Sequence, residues 1–174
     1  MGSLRSGTVC ALTGVLMAVA AAADAQESAR CAAAEYRQFD FWLGDWDVQN
    51  PQGQQVGTNS ITSIYGGCAL EERWQSAGQH AGASFNAYDA ARQRWHQTWV
   101  DNEGLLLQLD GGLEGGKMVL RGESVGQDGR AIVNRITWAV VAPDRVRQLW
   151  ETSRDGGSTW QVAFDGLYIK RSGR

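Results

Sequence analysis

The sequence predicts an all-β protein: a single antiparallel β-barrel of about ten strands, preceded by a short N-terminal helix. Three observations carry this expectation. Beyond Phe39 the chain is a succession of short apolar and aromatic segments. Turn signals separate them, at Asn50-Pro51, Gly66-Gly67, Asp110-Gly111-Gly112, Gln127-Asp128-Gly129, Pro143-Asp144 and Asp155-Gly156-Gly157, and closely spaced strands broken in this way read as a sandwich or barrel. Within the segments, large apolar side chains recur at every second residue, which is the strand period when one face is dry and the other wet.

The first 25 residues read as a signal peptide. Arg5 supplies a positive start, residues 9–23 form an apolar run, and Ala23-Asp24-Ala25 places small residues where a signal peptidase reads. Cleavage after Ala25 is expected, leaving residues 26–174 as one β-barrel domain, periplasmic or secreted. The run falls short of the about 20 apolar residues that a spanning helix needs, and no other segment is longer, so no stable membrane span is expected after cleavage. Cys10 lacks the small apolar residues that a lipoprotein signal carries before its cysteine.

Residues 28–38 hold Ala, Glu, Arg and Tyr without Gly or Pro, which favours the short helix. The strands are expected near 46–49, 56–65, 69–75, 82–88, 95–100, 105–109, 117–123, 131–141, 145–152 and 160–170. Trp95, Gln97 and Trp99 share a face opposite His96 and Thr98. Ile136, Trp138 and Val140 lie opposite Arg135, Thr137 and Ala139. Gln148, Trp150 and Thr152 lie opposite Arg147 and Glu151. Met118 and Leu120 oppose Lys117, Val119 and Arg121, and Trp160, Val162 and Phe164 make a further set. No linker or low-complexity tract divides these segments.

The dry face is not purely apolar. Glu72 travels with Trp74, Gln97 with Trp95 and Trp99, and Gln148 with Trp150. Such groups are costly to bury alone, so they pair with one another or meet water or a ligand. A barrel of eight to ten strands has room for one small ligand. In the opposing reading the core is packed, and the same polar groups satisfy tryptophan indole donors.

With Cys10 lost with the signal peptide, Cys31 and Cys68 remain. An even pair in an exported chain suggests a disulfide, closing a loop of about 37 residues, though two buried free thiols also fit. No metal is expected, because two cysteines and the distant His80 and His96 have no ligand spacing. The formal charge of −3 is mixed along the chain and leaves no basic stripe for nucleic acid.

Gly44-x-Trp46 resembles the G-x-W signature that opens lipocalin-type barrels, where the tryptophan closes one end against a basic side chain of the last strand. The resemblance gives that part to Lys170 or Arg171. A wider set resembles a family of small exported bacterial proteins of unknown function with an FWxGxW motif. It comprises Phe39-x-Phe41-Trp42-Leu43-Gly44-x-Trp46-x-Val48, Gly67-Cys68-Ala69-Leu70-x-Glu72-x-Trp74, Tyr88-Asp89 with Arg94-Trp95-x-Gln97-x-Trp99-Val100-Asp101, and Ser153-x-Asp155-Gly156-Gly157-x-Thr159-Trp160. The likeness covers almost the whole of residues 26–174. It implies a calycin-like barrel and transfers no catalytic residue. The last motif also matches the Asp-box of sialidase propeller blades, but it occurs once where a propeller needs repeats, so it is read as a hairpin.

No nucleophile elbow, zincin helix or phosphate-cradling glycine loop is present. A haem ligated by His96 is disfavoured because alternation puts His96 on the wet face, and no cofactor is expected. The expected function is therefore an exported protein binding a small apolar or aromatic ligand. Trp74, Trp95, Trp99, Trp138 and Trp150 would form the lining, with Glu72, Gln97 and Gln148 fixing orientation. The alternatives are an enzyme (isomerase, cyclase or hydrolase) using Glu72 as acid or base, its carboxyl pKa raised by burial, or a barrel serving only protein contacts at the envelope. Oligomeric state is left open.

Overall fold

The computed structural model describes residues 31–172, so the expected signal peptide and residues 28–30 of the expected helix lie outside them. Ten strands follow in order: β1 Gly44–Gln49, β2 Gln55–Ile64, β3 Ala69–Ser76, β4 Ala81–Asp89, β5 Arg94–Asp101, β6 Leu106–Glu114, β7 Lys117–Val125, β8 Ala131–Ala142, β9 Arg145–Ser153 and β10 Gln161–Lys170. Each pairs antiparallel with the next, and β1 closes onto β10 through Trp46 opposite Lys170 and Val48 opposite Tyr168. Closure removes both sheet edges, and the interior of ten strands is wider than the eight-stranded interior that side chains just fill.

The short N-terminal helix consists of two 3-10 turns, Ala34–Arg37 and Asp40–Trp42. In that geometry residues three apart eclipse, and Phe39 and Trp42 stack at 5.0 Å with their planes 16° apart. Both rings are fully buried. Phe39 also meets Trp95 at 5.5 Å and Trp138 at 5.1 Å, both edge-on. The segment before β1 thus plugs the barrel end that carries the β2–β3, β4–β5, β6–β7 and β8–β9 connections. Cys31 and Cys68 are joined in a disulfide with Cα atoms 5.1 Å apart, which ties the start of the plug to the β2–β3 corner. Arg37 reinforces the tie by donating to the Gly67 carbonyl. Beside the plug, Lys170 takes the basic part, with Nζ 5.4 Å from the centre of the Trp46 ring. Arg171 instead pairs with Asp47 on the outer surface.

Two local expectations are corrected. Asp110-Gly111-Gly112 is not a turn. β6 runs through it to Glu114, and the reversal falls at Gly115-Gly116, where both φ are positive. A Cβ on Gly111 would sit 2.0 Å from the Val119 carbonyl oxygen, so this glycine permits close strand approach. Trp160, Val162 and Phe164 do not share a face either. A β-bulge between Val162 and Phe164 shifts the register, so Val162 faces Glu151 and Phe164 faces Trp150. Val162 is consequently 63% exposed, while Trp160 lies outside under the Arg135 guanidinium at 3.9 Å.

The single Asp-box is a hairpin between β9 and β10. Asp155 accepts from the Thr159 amide at 2.8 Å and from the Thr159 hydroxyl at 2.6 Å, which with the Ser153 hydroxyl hold its carboxyl down at about 2. No helix among the described residues is long and apolar enough to cross a membrane.

Alkylation of the native protein without reductant is expected to leave its mass unchanged, and two labels should appear only after reduction. Cys68→Ser should lower the unfolding free energy by ~3 kcal/mol in urea titrations. Phe39→Ala, which empties the plug, should cost ~3–5 kcal/mol in the same assay. Equal midpoints for wild type and Phe39→Ala would show that the barrel end does not depend on this ring.

Candidate functional site

At the barrel end opposite the plug, the interior opens into a cavity of ≈ 260 Å³. Three wall aromatics lie where a glycine leaves space. A Cβ on Gly57 would meet the Trp74 ring at 2.6 Å, one on Gly82 the Trp99 ring at 2.3 Å, and one on Gly166 the Phe164 ring at 2.6 Å. The rings therefore rest against bare backbone, which keeps their bulk at the wall. Trp150 completes the aromatic wall and is oriented by an indole N–H···O bond of 3.0 Å to Asn134 Oδ1.

Of the eight residues expected at a ligand site, six line this cavity: Glu72, Trp74, Gln97, Trp99, Gln148 and Trp150. Trp95 and Trp138 do not. They share the interior face but sit further along the barrel axis, where Phe39 packs on both. Trp95 spends its indole N–H on Gln38 Oε1 at 3.2 Å. The strand period assigns a face, while depth along the axis depends on strand tilt and on where the plug ends.

The floor is a chain of buried polar groups. The Ser84 hydroxyl donates to Glu72 Oε2 at 2.6 Å, and Asn59 Nδ2 donates to Glu72 Oε1 at 2.7 Å. Ser84 has little freedom in this, because its oxygen already accepts from Asn86 Nδ2 at 2.9 Å and Gln97 Nε2 at 3.3 Å. On the other side, Asn59 Nδ2 reaches the Tyr168 hydroxyl at 3.2 Å, which donates to Gln148 Oε1 at 2.5 Å. Burial pushes the Glu72 carboxyl up to about 7 against the opposing bonds from Ser84 and Asn59. Burial, with the nearby Glu72 charge, drives the Tyr168 phenol well above its usual range, so it remains a neutral donor and acceptor.

Sequence reasoning missed Asn59, Ser84, Asn86, Tyr168 and His80. Ser84 and Asn86 flank Phe85, which is 52% exposed. The polar pair points in and the aromatic out, the reverse of the pattern elsewhere. The cross-strand partners were the available signal, since Ser84 opposes Glu72 and Asn86 opposes Gln97. His80 stands at the cavity wall, 3.2 Å from Asp101 Oδ2, which also accepts the Trp99 indole N–H at 3.1 Å. Burial works against the Asp101 carboxylate, but bonds from the Leu105 amide, Trp99 and His80 outweigh it and hold the carboxyl below its ordinary value. His96 lies on the outer face, bonded to Asp110 and Thr98 at 2.9 Å each. Among the described residues no group of three or more His, Cys, Asp or Glu is placed to hold a metal ion.

A chemical consequence follows from Glu72. The native state holds this proton more tightly than the unfolded chain, so its stabilising contribution is complete below about 4.5 and is lost as pH rises through about 7. That raised value corresponds to ~3 kcal/mol of differential stability. Glu72→Gln, neutral throughout, should therefore gain on wild type by about that amount between the two limits. Urea midpoints measured across the range check this, and parallel pH profiles for the two proteins would refute it.

No protein-family model matches the chain, and a search of curated proteins finds no match to it.

Proposed function

We propose that this chain is an exported binding protein that holds a small apolar or aromatic molecule inside its barrel, in the periplasm or outside the cell. One observation carries the reading: a cavity of ≈ 260 Å³ walled by Trp74, Trp99, Trp150 and Phe164 and floored by hydrogen-bonded polar groups. This is above the ~150 Å³ that suffices for a benzene ring and below the range typical of drug-sized ligands, so the occupant is compact. Apolar walls with a few convergent polar groups are the usual composition of a ligand site. The disulfide fits an oxidising compartment.

A second reading has its own observation. A carboxyl near 7 in a cavity is poised to take or give a proton at neutral pH. Glu72 could then act as acid or base in an isomerase, cyclase or hydrolase, with Tyr168 linked to it through Asn59.

Native mass spectrometry of the purified protein, compared with a denatured sample, tests the first reading. An added mass that leaves on denaturation is expected, and its occupancy should fall in Trp150→Ala. Identical native and denatured masses, together with unchanged tryptophan fluorescence across a panel of one-ring compounds, would reject it. For the second reading, wild-type turnover of any substrate by Glu72→Gln would remove Glu72 from the chemistry.

A further inference from the structure

The hydrogen-bond polarity around Glu72 conflicts with its burial. Both carboxylate oxygens receive donors, from Ser84 and Asn59. Ser84 has its acceptor positions filled by Asn86 and Gln97, so its proton is directed at Glu72. Such a set of donors matches the ionised carboxylate, which is acceptor-only. Yet every donor is neutral. Among the described residues no Lys, Arg or His nitrogen lies within 4.0 Å of Glu72. His80, the cationic candidate on the cavity wall, is engaged with Asp101 instead. Elsewhere the pattern differs: Asp47, Asp110, Glu114, Glu151 and Asp165 each have an Arg partner on the outer face.

Beside the carboxylate the network holds one further open acceptor. Asn59 Oδ1 is buried and has no partner among the described residues, although its amide nitrogen bonds Glu72. A buried acceptor without a donor is costly, and a buried anion without a cation more so. The complement is a cation rich in N–H donors. Around it stand the rings of Trp74, Trp99, Trp150 and Phe164, and aromatic faces attract cations, Trp most strongly.

Resting on the cavity-binding reading, we propose that the ligand is a small protonated amine with an apolar or aromatic body. Its ammonium pairs with the Glu72 carboxylate, and its body lies between the tryptophan rings. The amine supplies the positive charge that the protein withholds from this site. An ammonium offers three donors and no acceptor, which suits a cavity-lining carboxylate whose present donors are all neutral. A neutral molecule of the same shape brings no charge to that carboxylate.

The test compares three one-ring probes on the whole protein at about pH 7.5, where alkylamines are charged: benzylamine, its neutral isostere benzyl alcohol, and anionic phenylacetate. Binding is read by tryptophan fluorescence and calorimetry. Benzylamine should bind roughly tenfold or more tighter than benzyl alcohol, with phenylacetate weakest. Benzyl alcohol binding as well as or better than benzylamine overturns the amine assignment and leaves the cavity reading standing. If none binds at ~10 mM, both fall together. Glu72→Gln should abolish the preference for benzylamine over benzyl alcohol, read as the ratio of the two affinities in the same variant. A Gln variant that keeps the preference removes Glu72 as its origin. The wild-type comparison needs no variant to fold.

Discussion

The stack of Phe39 on Trp42 at one end of the barrel is the contact on which the rest of the structure depends. A closed ten-stranded sheet encloses more space than its own side chains fill. The chain resolves this by folding its N-terminal segment into one mouth. There Phe39 and Trp42 pack against Trp95, Trp138 and Tyr168, and the Cys31–Cys68 bridge holds the segment from its far side. The remaining interior, at the opposite mouth, stays open. Filling one end and not the other confines the cavity to the opposite half of the barrel.

The polar floor lies between these two regions and belongs to both. Its members span six strands: Asn59 on β2, Glu72 on β3, Ser84 and Asn86 on β4, Gln97 on β5, Gln148 on β9 and Tyr168 on β10. Hydrogen bonds pass from strand to strand across the lumen, so every group but the Asn59 carbonyl side has a specified partner. A network of this kind orients Glu72 while leaving its charge state governed by burial. Desolvation outweighs the donors and raises the carboxyl to about 7, where small changes in its surroundings alter its protonation. On the wall, glycines at 57, 82 and 166 do complementary work by giving three rings a place to rest.

Much of this was legible in the chain. The ten strands follow the alternation and turn chemistry closely, and Lys170 meets Trp46 as the G-x-W resemblance implies. The errors have physical causes. Asp110-Gly111-Gly112 carries turn composition, but its Gly111 serves a close strand approach that only the partner strand reveals. The set Trp160, Val162 and Phe164 obeys strict alternation on paper, and one extra residue at the bulge turns part of it over. Trp95 and Trp138 are on the interior face as expected, yet depth separates them from the cavity.

What the sequence determined by itself is local and periodic: strand positions, the dry and wet faces, the cysteine pair, and the polar residues interleaved among tryptophans. These depend on neighbours one to four residues apart, where period-two geometry and turn propensity act. What only the tertiary structure decided is which interior residues meet. Glu72 bonds Asn59 and Ser84, and Tyr168 reaches Gln148 through contacts 12 to 20 residues apart and, to Asn59, 109 apart. Those meetings are set by barrel closure and register, because a one-residue change in stagger would move every inward side chain to a different partner.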